Sequence, residues 1–221
     1  MNNKIQAVIF DLDGVIVDTA KYHFLAWKEL AMSLKIPFDE HDNEKLKGVS
    51  RIKSLEYILS KGKLNHTSLE KETLATQKNL RYLEHISTID QSDILPGIID
   101  FLEDLKKNKI KIALGSASKN ANFILERLNI SHYFDAIIDG NMTQKGKPDP
   151  ETFLLAADLL CCKPVHCLVV EDASKGVDAA LSAGMYCVGI GHADNLSHAH
   201  LVLTNLLGYT LADIEKLLTK D

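Results

Sequence analysis

Five short runs along the chain are apolar almost throughout: residues 5–10 (IQAVIF), 110–114 (IKIAL), 136–138 (AII), 168–170 (LVV) and 186–190 (YCVGI). Runs of this length, rich in β-branched residues, predict strands covered on both faces. Between them the period changes. Phe123, Ile124 and Leu128 fall one turn apart within 122–128, residues 152–160 and 177–183 fit the same spacing, and Gly184 stands where a helix C-cap belongs. Val202 and Leu203 add a last short strand ahead of a helix over 211–218. Strand and helix in this alternation predict an α/β fold with a doubly wound, Rossmann-like parallel sheet.

One stretch breaks the alternation. From about Thr19 to Ile89 there are only helical stripes: Phe24, Trp27, Ala31 and Leu34; then Ile52, Leu55, Ile58 and Leu59; then a third from Leu74 to Leu83. The α/β pattern resumes at Leu95-Pro96-Gly97. The expected organisation is an α/β core of residues 1–15 and 93–221 with an inserted helical cap domain over 16–92. A continuous α/β domain with one long helical excursion is the other arrangement this pattern permits.

Composition narrows the class. Of 221 residues 46% are hydrophobic and 25% charged, enough to fill a core and too ordinary for disorder. The balance of 25 basic against 30 acidic residues gives −5, which argues against broad binding to nucleic acid or an anionic membrane. No apolar run approaches the roughly 18 residues of a membrane-spanning helix. The run at 5–10 holds Gln6 and stops at Asp11, too short for a signal-peptide core, so a cytoplasmic protein is expected. Cys161, Cys162, Cys167 and Cys187 lie in or beside apolar runs without CxxC or zinc spacing, and buried, reduced thiols are expected of them.

In a doubly wound sheet, ligands bind beyond the carboxyl ends of the strands. After the first strand stands Asp11-Leu12-Asp13-Gly14, after the second Gly115-Ser116-Ala117-Ser118, after the fourth Glu171-Asp172, and a late loop holds Lys147-Pro148. Carboxylates converging on one sheet edge repel one another, and a hard divalent cation such as Mg²⁺ relieves this where phosphate is handled. A carboxylate attacking phosphorus forms an acyl phosphate, with the metal screening two anions and a lysine balancing the equatorial oxygens. A second carboxyl two residues on faces the same cleft if the chain stays extended, and can act as acid and base. Each element also has an ordinary reading: the Asp pair as turn formers, Ser116 and Ser118 as helix N-caps, Glu171-Asp172 as a surface loop, Lys147 as a solvated charge. Their joint placement after successive strands favours the chemical reading.

These motifs resemble those of the haloacid dehalogenase-like phosphotransferases, and the likeness extends over essentially the whole chain. The pattern DxDGxxxD stands as Asp11-Leu12-Asp13-Gly14-Val15-Ile16-Val17-Asp18, followed by Thr19; the second motif is Ser116, the third Lys147-Pro148-Asp149-Pro150, the fourth Glu171-Asp172. The helical insertion matches the family's mobile cap. The resemblance implies Asp11 as nucleophile and Asp13 as general acid and base, with Thr19 among the catalytic set. It further implies Mg²⁺ held by Asp11, the Asp13 carbonyl and Asp172 with Glu171 close by, Ser116 and Lys147 on the transferring phosphate, and a cis bond before Pro148. Hinges are expected near residues 15–19 and 90–95.

Within the family the chain looks like the β-phosphoglucomutase branch. Leu46-Lys47-Gly48-Val49-Ser50-Arg51, with Ser54 following, matches that branch's substrate-specificity loop; His23 and Lys78 match the cap pair that positions the acid–base Asp. Ser116-Ala117-Ser118-Lys119-Asn120 matches the core loop in which Ser118, Lys119 and Asn120 contact substrate. A physical argument runs beside the resemblance: an enzyme turning a sugar bisphosphate around must grip a second, non-reacting phosphate, for which Arg51 and Lys47 are suited. KGVSR also reads as a solvated helix start with Ser50 as N-cap. The expected activity is isomerisation of β-D-glucose 1-phosphate to glucose 6-phosphate through glucose 1,6-bisphosphate, by a monomer whose partner is a small sugar phosphate. A sugar-phosphate or phosphoglycolate phosphatase uses the same core residues. A phospho-accepting receiver domain fits less well, because of the helical insertion and the early position of Asp11.

Overall fold

The computed structural model describes residues 4–46 and 49–219. In chain order the elements are β1 (Ala7–Phe10), α1 (Ala20–Ser33), α2 (Glu40–Glu44), α3 (Arg51–Lys61), α4 (Ser68–Ile86), α5 (Ile98–Lys107), β2 (Lys111–Gly115) and α6 (Ala121–Arg127). There follow β3 (Ala136–Ile138), α7 (Glu151–Leu159), β4 (Cys167–Glu171), α8 (Ser174–Ser182), β5 (Tyr186–Ile190), α9 (Ala193–Leu196), β6 (Leu201–Leu203) and α10 (Leu211–Leu218). The chain divides into two compact units, one built from the chain up to Asp18 and from Asp90 onward, the other from Thr19–Ile89.

The first unit holds one parallel sheet in the order β3-β2-β1-β4-β5-β6. All four residues of β1 are fully buried, as a run without polar alternation requires. Ala7 and Ile9 point into one core with Phe153 and Ala156 of α7 and Val177 and Ala180 of α8. Phe10, on the opposite face by strand alternation, meets Phe101 and Phe134 edge-on at 6.0 and 6.4 Å. From β1 the chain winds outward through β2 and β3, then returns to β4 and winds the other way. The strand order therefore reverses beside β1, and a crevice opens there at the carboxyl ends.

The helix α5 has no counterpart in the expected pattern, although Ile98, Phe101, Leu102 and Leu105 bury at helical spacing. It starts at Gly97, whose φ of +85° and lack of a side chain let the Leu206 backbone approach; a Cβ there would come within 2.3 Å of it.

The second unit packs Trp27, Leu30 and Ala31 of α1 with Leu55, Ile58 and Leu59 of α3 and Ala75 of α4. Its buried acid is Asp42 of α2, which accepts from the Tyr57 hydroxyl at 2.8 Å and from the Lys61 ammonium. Three expected core positions differ. Ile52 and Phe123 are 39% and 37% exposed, each one place off its helix's buried face, and Leu80, inside the third stripe, points to solvent while Ala75, Lys78, Tyr82 and Ile86 form the buried face of α4. Cys161 is likewise exposed and Cys162 half-buried; both lie past the end of α7, and only Cys167 and Cys187, inside strands, are buried. No helix among the described residues is long and apolar enough to cross a membrane.

Candidate active site

Asp11 directly follows β1. Phe10 pairs with Leu114 of β2 and Val170 of β4, and the Asp11 amide donates to the Val170 carbonyl at 2.9 Å. One place further along those neighbours stand Gly115 and Glu171, so the reversal point of the sheet carries one acid just past the end of β1 and another at the end of β4. Lys147 comes from the loop between β3 and α7, and its bond to Pro148 is cis. Its side chain, 1% exposed, donates from Nζ to Asp11 Oδ1 at 2.6 Å and to Glu171 Oε2 at 2.7 Å, with the Phe153 ring centroid 4.7 Å from the ammonium.

Burial by itself would drive the Lys147 ammonium to lose its proton; the Asp11 and Glu171 carboxylates outweigh it and hold the pKa above the ordinary lysine value. For Glu171 burial dominates, Lys147 opposes it and Asp11 adds to it, and the carboxyl is pushed up to about 7. A desolvated ion costs several kcal/mol even after the surroundings relax, so such a cluster persists only where charge is balanced. Asp11, Glu171 and Asp172 present oxygens within 4.8 Å of one another, and Lys147 neutralises at most one of the three. Hard oxygen donors with residual negative charge fit a divalent metal ion. The Asp13 carboxyl is not a member of this group.

Two glycines make room for these acids. A Cβ on Gly14, whose φ is +82°, would lie 2.1 Å from Asp172 Oδ2, and a Cβ on Gly176, in the first turn of α8, 2.0 Å from the Glu171 carboxyl carbon. Past Asp13, which is half-buried, the chain turns back at once, with the Gly14 amide on the Val17 carbonyl and the Ile16 amide on the Leu12 carbonyl, both at 2.9 Å.

Beyond β2, Ser116 is 1% exposed. Its hydroxyl accepts from the Ser118 amide at 3.0 Å, and the Ser118 hydroxyl accepts from the Asn120 amide at 3.2 Å. Neither serine caps α6, whose N-cap is Asn120. They bend the chain through side-chain turns, and each keeps its own hydroxyl proton to donate. Ala117 and Ser118 are half-buried and Lys119 is exposed.

In the helical unit His23 and Lys78 come together, with Lys78 Nζ 2.7 Å from His23 Nδ1. The ammonium also lies 4.7 Å from the Trp27 ring and 4.6 Å from Tyr82, whose ring stacks on His23 at 4.1 Å. Burial first, then Lys78, then Arg51 push the His23 pKa well below its ordinary value. His23 is therefore neutral near pH 7, accepts at Nδ1 and carries its proton at Nε2. Arg51 is the first residue of α3, with its own pKa lowered chiefly by burial. Ser50 stands at the N-cap without a side-chain capping bond, its carbonyl accepts from the amide of the buried Ser54 at 2.9 Å, and Val49 is half-buried. Thr19 is buried and accepts through its carbonyl from the Tyr22 and His23 amides at 3.0 Å, opening α1. Lys47 and Gly48 lie outside the described residues. Sequence reasoning missed Phe153, Gly176 and Tyr82, and read Trp27 only as part of a helical stripe, without its contact to Lys78. Of these only Gly176, a glycine at a helix start straight after Glu171-Asp172, carried a readable signal.

The model of the haloacid dehalogenase-like hydrolases matches residues 5–184. The chain belongs to that family. It is 49% identical over 209 residues to a β-phosphoglucomutase of Bacillus subtilis, covering 94% of this chain and 92% of that protein. It is 33% identical over 196 residues to a phosphorylated carbohydrates phosphatase of Thermotoga maritima, covering 86% and 88%. Among solved structures, the β-phosphoglucomutase of Clostridium difficile superposes with a TM-score of 0.94 at 45% identity, covering 98% of each chain. Family and relatives make the chain an enzyme, and phosphoryl transfer is its class of reaction.

Proposed function

We propose that the protein is a Mg²⁺-dependent β-phosphoglucomutase, interconverting β-D-glucose 1-phosphate and glucose 6-phosphate through an aspartyl phosphate and glucose 1,6-bisphosphate. The observation that carries this is the Lys147 ammonium held between Asp11 and Glu171 at the reversal point of the sheet. In this reading the Asp11 carboxylate attacks phosphorus and becomes an acyl phosphate. Lys147 and the Ser116 hydroxyl balance charge on the equatorial oxygens. Asp13 protonates the leaving oxygen and, in the return step, takes the proton of the accepting hydroxyl. The bisphosphate so formed turns around and gives its other phosphoryl group back to Asp11. Asp11, the Asp13 carbonyl, Glu171 and Asp172 are the residues that would hold the Mg²⁺. When bound, the ion screens the repulsion between a carboxylate and a phosphate.

The helical unit favours a mutase over a hydrolase. Neutral His23 on Lys78 is assigned, with Thr19, the positioning of Asp13. Lys47, Gly48, Val49, Ser50, Arg51 and Ser54 are assigned the phosphate that is not reacting. Ala117, Ser118, Lys119 and Asn120 are assigned the rest of the sugar phosphate. The protein is taken to work as a cytoplasmic monomer. A sugar-phosphate phosphatase is the second reading, favoured by the 33% identical relative.

The deciding experiment supplies β-glucose 1-phosphate with a trace of glucose 1,6-bisphosphate and follows glucose 6-phosphate and inorganic phosphate together. Glucose 6-phosphate in large excess over phosphate is expected; phosphate alone would assign the chain to the phosphatases. Asp11→Asn should abolish both products.

A further inference from the structure

Directly beyond β3, the residues Asp139-Gly140-Asn141 run along the backbone of the loop that follows β2. The Ser116 amide donates to the Ile138 carbonyl at 3.0 Å, the Gly140 amide to the Ser118 carbonyl at 3.1 Å, and Asn141 Nδ2 to the Lys119 carbonyl at 3.4 Å. Gly140 touches the residue between: a Cβ there would lie 2.2 Å from the Ala117 carbonyl oxygen and 3.2 Å from Lys119 Cγ. Residues 116, 118 and 119 of the loop are thus hydrogen-bonded from residues 138–141, and Ala117 packs against Gly140 between them.

Asp139 reaches that loop through Asn141. It is 7% exposed and both its oxygens are occupied. Oδ1 accepts from the Asn141 amide at 2.8 Å, and Oδ2 accepts from Asn141 Nδ2 at 3.1 Å and from Asn122 Nδ2 of α6 at 3.3 Å. The carboxylate therefore fixes which way the Asn141 amide points and ties the turn to the helix that the loop runs into. An exposed Asn141 left to rotate would not hold a 3.4 Å bond to Lys119, because a single surface hydrogen bond barely exceeds the entropy of ordering the side chain.

We propose that Asp139, with Gly140 and Asn141, is a positioning element that sets the backbone of loop 116–119, and so the grip of Ser118, Lys119 and Asn120 on the sugar-phosphate part that does not react. The inference rests on the assignment of that loop to substrate made above. It separates two functions of one loop. Ser116 is held by the last ladder bond between β2 and β3, to Ile138 before the turn, and serves the transferring phosphate, whereas residues 118–120 depend on the turn beyond β3.

The test uses the full chain with Asp139→Ala, Asp139→Asn, Gly140→Ala and the milder surface change Asn141→Ala. Each is assayed for β-glucose 1-phosphate isomerisation and for hydrolysis of acetyl phosphate, a small phosphoryl donor with nothing for residues 118–120 to hold. The first three should raise KM for the sugar phosphate about tenfold with kcat within about threefold, and Asn141→Ala should raise it about threefold. Acetyl phosphate hydrolysis should stay within about twofold. The exchange Asp139→Asn with Asn122→Asp restores a donor–acceptor pair and should recover part of the lost KM. An unchanged KM in Gly140→Ala and Asn141→Ala overturns the inference, as does a fall in acetyl phosphate hydrolysis by the same factor as isomerisation. If the wild type makes no glucose 6-phosphate, the mutase reading fails alone. The KM comparison is then made on the sugar phosphate it hydrolyses, where an unchanged KM overturns the positioning role equally.

Discussion

The Asp172 carboxylate occupies the space where a side chain on Gly14 would stand, 2.1 Å from the position of its Cβ. Gly14 is needed there twice over, since its φ of +82° also belongs to the left-handed region that side chains disfavour. Gly14→Ala should therefore push Asp172 away from Asp11 and Glu171. Half-saturation by Mg²⁺ is expected to rise about 10- to 100-fold, in the range seen when groups that orient metal ligands are altered. The backbone strain should add about 1 kcal/mol of destabilisation. Calorimetric titration with Mg²⁺ and thermal melting read the two effects separately, and an unaltered titration would show that Asp172 does not bind metal.

Lys147→Met keeps the length and apolar stem of the side chain and removes only the charge between Asp11 and Glu171. Leaving one partner of a buried ion pair unmatched costs about 3–5 kcal/mol, so the variant should melt markedly lower in the presence of a chelator. A divalent cation replaces part of the missing charge, and added Mg²⁺ should raise the melting temperature of the variant more than that of the wild type. Turnover should fall by about 10³, the scale of losing one positioned charge at a transition state. A variant as stable as the wild type in chelator would mean that Glu171, which burial pushes up to about 7, takes a proton and relieves the repulsion unaided.

Much of this site could be read from the chain because its chemistry sits at strand ends, where two-face burial makes the apolar runs conspicuous. Asp11, Ser116 and Glu171-Asp172 follow β1, β2 and β4, and a parallel sheet must bring those positions to one edge. Asp139 follows β3 in the same way, yet an Asp-Gly pair after a strand reads first as a turn. Helix faces were less legible. A stripe drawn from Leu74 to Leu83 includes the exposed Leu80 and skips the fact that Lys78 is buried, because no local pattern announces a cation enclosed by Trp27 and Tyr82. Asp42 was missed for the same reason: its partners Tyr57 and Lys61 belong to another helix. Contacts between elements distant in sequence leave no period behind.

The four cysteines divide by position rather than by composition. Cys161, with φ of 49° just past the end of α7, is exposed, whereas burial pushes the Cys167 thiol, with Cys162 beside it, up to about 12, and burial raises Cys187 as well. Because the thiolate is the reacting form, iodoacetamide at pH 7.5 should modify Cys161 first and leave Cys167 and Cys187 untouched until the chain unfolds. Peptide mass spectrometry of timed samples would show this order. Early labelling of Cys187 would mean that the sheet opens at β5 far more readily than its burial implies.

His23 makes the stability of the fold depend on pH in a defined direction. Its ring accepts from the Lys78 ammonium 2.7 Å away, so protonating it would set two cations against each other in a partly dry place. Burial, Lys78 and Arg51 accordingly hold its folded pKa well below the ordinary value of 6.5, which the unfolded chain keeps. Above about pH 6.5 neither state carries the extra proton and His23 contributes no slope. As the pH falls below that value the unfolded chain binds a proton that the folded chain refuses, so stability declines, by at most about 1.4 kcal/mol per pH unit, until the lowered folded pKa is reached. His23→Gln retains an acceptor for Lys78 but cannot titrate. At pH 7.5 the variant should be less stable than the wild type by about 1 kcal/mol, through the poorer fit of the amide against Tyr82. Between pH 6.5 and 5.5 that gap should shrink by about 1 kcal/mol, because only the wild type loses the His23 contribution. Urea unfolding of both proteins at the three pH values gives the difference directly, with every other titrating group cancelling. Parallel curves would show that His23 takes up a proton as readily in the folded protein as in the unfolded chain, and that its Nδ1 does not accept from Lys78.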